Sequence, residues 1–72
     1  MTEIRVVVVS AEEADYGVAE FWCGAEQLGM TIFDDGQLQF RIDARADGSP
    51  WVVEAAGLAR ALSDATRQLA AY

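Results

Sequence analysis

The chain reads as an α+β domain: a four-stranded, mainly antiparallel β-meander with one C-terminal α-helix packed across one face (ββββα). Three observations lead there. Strand-like runs rich in Val, Ile and Phe recur four times before residue 45. Short Gly-containing turns separate the later runs. Beyond Pro50 the apolar spacing changes to alternating steps of four and three, the period of a helix. Residues 1–72 form a single domain, without internal repeat, low-complexity tract or linker.

The first strand spans Glu3 to Val9, with Ile4, Val6 and Val8 on one face and Arg5, Val7 and Val9 on the other. Ser10-Ala11-Glu12-Glu13 has capping-box spacing and predicts a short helical turn before Tyr16-Gly17. Further strands are expected at 18–23, 27–33 and 37–44. A Gly24-Ala25 loop sets Phe21 against Leu28 and Ala19 against Met30. Asp34-Asp35-Gly36 allows two registers. A two-residue loop on Asp35-Gly36 pairs Ile32 with Gln39 and Met30 with Arg41. A three-residue loop pairs Ile32 with Leu38, Met30 with Phe40 and Leu28 with Ile42. Only the second gathers apolar residues onto one core face, and a one-residue slip exchanges faces, so the three-residue loop is expected. Gly36 takes a positive φ in that arrangement.

Trp51, Ala55, Leu58, Leu62, Ala65, Leu69 and Tyr72 form the helical stripe. Ser49-Pro50 suits an N-cap and first turn. Gly57 weakens the early part by about 1 kcal/mol relative to Ala. Trp51-Val52-Val53 is therefore either helix or a short extended segment with the helix beginning near Glu54. In this reading Leu28, Met30, Ile32, Leu38, Phe40 and Ile42 face Leu58, Leu62 and Leu69.

Composition excludes much chemistry. The chain has no His and no Lys, and five Arg stand against twelve carboxylates for a net charge of −7. Without His, no side chain has an unperturbed pKa near neutrality. Without Lys, Schiff-base chemistry and the Walker-type phosphate lysine are absent. Scattered arginines among acids argue against nucleic acid as a direct ligand and against an anionic membrane surface. One cysteine, Cys23, makes no internal disulfide and lacks a His or Lys to activate it. It is expected on the core face as a small hydrophobe. Four consecutive valines near the N-terminus are too few for a signal-peptide core or a membrane span. A bacterial-type cytoplasmic protein is the expectation.

The acidic clusters Glu12-Glu13-Asp15 and Asp34-Asp35 match no EF-hand spacing, and the residues needed for a transition-metal site are missing. No metal and no cofactor are expected. Glu20 and Glu26 flank a hairpin as a carboxylate pair of the glycosidase type, in a chain with little room for a sugar pocket. The six glycines read as turn and packing residues, not as a phosphate cradle. No catalytic residue emerges.

Val7, Val9, Val18, Trp22 and Phe33 stand out instead. In the expected registers they point away from the helix, where a sheet covered on one side should be polar. An exposed apolar patch of this kind marks an interface, and Trp is favoured at binding hot spots. Glu20 is expected towards its rim. The expectation is a non-enzymatic protein-interaction module, homodimeric through the uncovered sheet face. The alternative is an acidic mimic of nucleic acid that occupies a basic groove of a nucleoprotein or nuclease. It needs Glu12, Glu13, Asp15, Asp34, Asp35 and Asp47 along one ridge.

Overall fold

The computed structural model describes residues 3–10 and 17–71. Four strands, β1 (Ile4–Ser10), β2 (Gly17–Cys23), β3 (Glu26–Asp34) and β4 (Gln37–Ile42), precede one helix, α1 (Ala55–Ala70). The strands form one sheet in the order β1-β2-β3-β4, with every neighbouring pair antiparallel. This is the ββββα architecture. The helical turn expected after Ser10 lies outside the described residues, as do Glu12, Glu13, Asp15 and Tyr72.

β1 and β2 pair without interruption, Arg5 opposite Trp22, Val7 opposite Glu20 and Val9 opposite Val18. Directly paired residues share a face and neighbours along a strand alternate. Ile4, Val6, Val8, Ala19, Phe21 and Cys23 therefore face α1. Gly24-Ala25 is a two-residue loop that sets Cys23 opposite Glu26 and Trp22 opposite Gln27, with Gly24 at φ 63°. Past that point β3 gains a residue. Phe21 sits opposite Gly29 and Glu20 opposite Met30, which leaves Leu28 as the extra residue of a β-bulge.

The β3–β4 turn corrects the expected register. Asp35 (φ 52°) and Gly36 (φ 76°) are the two central residues of the loop, and Asp34 faces Gln37. Ile32 is opposite Gln39 and Met30 opposite Arg41. Asp-Gly suits a primed turn with positive φ at both central residues, whose twist matches the strands. This local preference outweighs the apolar matching that favours a three-residue loop. Because of the bulge, Met30 and Ile32 lie on the face away from α1, while Gly29, Thr31 and Phe33 lie towards it. Thr31 is buried there without loss, since its Oγ1 accepts a hydrogen bond from the Ala19 N–H at 2.9 Å.

Gly29 has a specific job. The Phe40 ring reaches across it to Phe21, with centroids 4.6 Å apart. A Cβ at position 29 would stand 3.0 Å from Phe40 Cζ and run into the Arg41 carbonyl oxygen. Leu28 and the fully buried Phe21 and Ala19 complete the sheet side of the core.

α1 begins after Glu54, whose backbone is extended and whose side chain makes no cap bond. Ser49 does not cap the helix; it bonds Asp47 instead. Trp51, Val52 and Val53 belong to neither a strand nor the helix, which answers the question left open by the sequence. The helix packs mainly on β1 and β2. Its buried centre is Ala61 and Ala65, flanked by Leu58 and Leu69. Two alanines let the axis approach the ridge of β-branched residues on β1. Leu62, expected at the centre of the stripe, is rotated to the flank and is 36% exposed. Leu38 and Ile42 face the helix side as expected, yet they remain 43% and 64% exposed because α1 stops short of them.

Candidate interaction surfaces

Alternation places Val7 and Val9 (β1), Val18 and Trp22 (β2), and Met30 and Ile32 (β3) on the face opposite α1. All six are half-buried. No described element of secondary structure packs over them. Four of the five residues singled out from the sequence are thus on this face. The fifth, Phe33, is not: it pairs with Leu38 on the helix side and is 48% exposed. Met30 and Ile32 take its place. A primed turn on Asp35-Gly36 pairs them with Arg41 and Gln39, the polar residues of β4.

Glu20 is a second correction. It lies in the middle of the face, opposite both Val7 and Met30, and not towards the rim. Its Oε1 accepts a hydrogen bond from Trp22 Nε1 at 3.3 Å, which fixes the indole against the sheet. Arg5 and Arg41 stand on the outer strands of the same face. Arg41 donates from Nε to Asp43 Oδ1 at 2.9 Å.

A polar corner forms where the β4–α1 connection returns to the β2–β3 turn. The Arg45 guanidinium stacks over Trp51 at 4.9 Å from its centroid and pairs with Glu26 at 3.3 Å. The other Glu26 oxygen accepts from the Ala46 N–H, and Trp51 Nε1 donates to the Asp43 carbonyl at 2.7 Å. These bonds anchor the connection and fill the corner around a cleft of about 170 Å³. Cys23 lines that cleft. It packs against the core as a small hydrophobe, and partial burial pushes its thiol above the usual range. The Glu26 carboxylate adds to the rise, and Arg45 opposes it. A raised pKa suppresses the thiolate that nucleophilic chemistry requires.

The carboxylates do not converge. Glu20 is on the face away from α1, whereas Glu26, opposite Cys23, is on the helix side and engaged with Arg45. They cannot flank one glycosidic bond. Asp34 and Asp35 sit at the β3–β4 turn, while Asp47 lies beyond the far end of β4. There the Ser49 hydroxyl, with help from its backbone N–H, holds the Asp47 carboxyl below the usual range. No group of three or more His, Cys, Asp or Glu among the described residues is arranged to hold a metal ion. No described helix is long and apolar enough to cross a membrane. Compared with protein-family models, with curated proteins and with solved structures, the chain matches none.

Proposed function

We propose that the chain is a non-enzymatic acidic interaction module that forms a twofold homodimer through the sheet face opposite α1. One observation carries the reading: Val7, Val9, Val18, Trp22, Met30 and Ile32 make an apolar patch around Glu20 over three adjacent strands, and no described helix packs on it. Apolar area left in water costs about 25 cal/mol per Å², and a second copy removes the same patch from both chains.

Charge and area support a second copy as the occupant. The chain carries −7 overall, and on this face Arg5 and Arg41 stand against Glu20, Asp34 and Asp43, a small excess of acid. The accessible surface is 5089 Å², against about 4,400 Å² for a compact chain of this mass. Four strands of about seven residues give a flat footprint of about 440 Å². Two such faces approach the ~1,000 Å² floor of specific interfaces before side-chain relief is counted. Glu20 then lies at the centre of the contact and needs a partner there, which Arg5 of the second copy supplies.

Sedimentation at micromolar concentration tests the reading with the parent, Trp22→Glu and Met30→Glu. The expected result is a dimeric parent and two monomeric variants with the parent's circular dichroism. A monomeric parent, or a dimer untouched by both substitutions, overturns it.

A further inference from the structure

The face opposite α1 carries an arginine and a carboxylate that do not meet within one chain. Arg5 is opposite Trp22 on the β1–β2 ladder, and Glu20 is opposite Val7. The two are therefore diagonal neighbours on one face, about 7–8 Å apart at the backbone. Arg41, Arg45, Arg60 and Arg67 each pair with a carboxylate of this chain. Arg5 is exposed and joins no ion pair among the described residues. Glu20 is half-buried, with Val7 and Met30 across from it and Val18 and Trp22 two residues to either side. Its Oε1 accepts from the neutral Trp22 indole, which leaves its negative charge without a cation.

We infer that Arg5 and Glu20 are the selectivity pair of the dimer: each Arg5 meets Glu20 of the other copy, and the two contacts set the register of the twofold. This rests on the dimer proposed above and adds what decides how the two faces meet. In a twofold contact residue i meets j and j meets i, so one arginine and one carboxylate on the shared face make two identical pairs. A foreign surface of a single sign satisfies one of the two groups and repels the other. The apolar side chains surround Glu20, so a twofold centred on their patch would bury two carboxylates against each other, each opposing the charge of its neighbour. Moving the axis by half the diagonal, about 4 Å towards Arg5, replaces that repulsion with two attractions. The axis then runs between β1 and β2. Val7 and Trp22, the other two corners of this four-residue cell, stay at the centre of the contact. Arg41 is a poorer partner for Glu20, since Asp43 already accepts from its Nε at 2.9 Å.

Sedimentation of the full chain tests the pairing with Arg5→Glu, Glu20→Arg and an equimolar mixture of the two. Each variant alone is expected to keep the parent's circular dichroism and to dimerise about tenfold more weakly or worse. The mixture should recover the dimer as a heterodimer, because each variant offers the charge that the other lacks. A chain carrying both substitutions should self-associate like the parent. Glu20→Arg makes the chain less acidic, so net charge alone would tighten its dimer, and weakening reports the local pair. Arg41→Glu makes the same charge change on the same face and should weaken the dimer less than Arg5→Glu. Either variant dimerising as tightly as the parent, a mixture no tighter than its components, or an equal loss from Arg41→Glu would overturn the pairing while the parent's dimer stands. A monomeric parent would remove the dimer itself, and the pairing with it.

Discussion

On the helix side, the apolar residues of the β1–β2 half and of β4 meet opposite fates. On β1 and β2 the helix-side residues meet Ala61 and Ala65 and are withdrawn from water. On β4 Leu38 and Ile42 point the same way and stay exposed, because no second helix is present among the described residues. A two-layer α/β arrangement ordinarily covers its whole sheet. Buried apolar contact is thus concentrated in the first half, while the second leaves apolar side chains in water.

The largest expected effect is in the covered half. Phe21 is fully buried and touches both halves, through α1 on one side and the Phe40 ring on the other. Phe21→Ala should cost about 3–5 kcal/mol, most of the ~4–10 kcal/mol that a chain of this length commands. Urea denaturation checks it, and a stable Phe21→Ala protein would break the claim that this half holds the fold together.

An intermediate pair sharpens the boundary. Leu62→Ala, at the flank of α1, should lose only about 1 kcal/mol, since part of the side chain is already in water. Ile42→Ser should stay within about 0.5 kcal/mol. If the second change costs more than the first, Ile42 is covered in solution and the two halves are not distinct.

The faces of β1, β2 and β4 were legible from alternation alone. β3 was not, for two physical reasons. Its run Leu28-Gly29-Met30-Thr31-Ile32-Phe33 offers apolar side chains at both parities, so pattern matching chooses the more hydrophobic set, Leu28, Met30 and Ile32. The bulge at Leu28 then inverts the parity in mid-strand, and no composition signal announces it. Trp22 kept its expected face because the extra residue is on β3 and not on β2. In the helix, Leu62 attracted the stripe by size, while Ala61 and Ala65 won the buried positions because small residues permit close approach. The central position of Glu20 followed from simple alternation along β2 and was missed only by treating charge as a rim property.

The smallest effect concerns Cys23, at the seam between the halves. Its folded-state pKa is raised, so its contribution to stability is present below the unfolded value of 9.0 and is lost as pH rises through the folded value. Alkylation by iodoacetamide should therefore reach half its maximal rate above pH 9.0 and run slower at neutral pH than with a free thiol. Cys23→Ala should flatten the alkaline decline in stability. A half-maximal rate below 9.0 would mean that Arg45 outweighs burial and Glu26 at this seam.

The pairing of α1 with β1 also bears on the order of assembly. The antiparallel strand pairs join neighbours in sequence, and the β2–β3 and β3–β4 turns specify their own geometry, so the sheet can form while the chain is still short of its helix. With the sheet formed, docking α1 closes the connection of residues 43–54 between β4 and the helix, and its entropic cost falls at that step. Before it happens both faces of an Ile- and Val-rich sheet are open at once. The interval between hairpin formation and helix docking is thus the period in which this molecule is most prone to aggregate, and changes that slow docking should lower soluble yield even where they leave the finished fold intact.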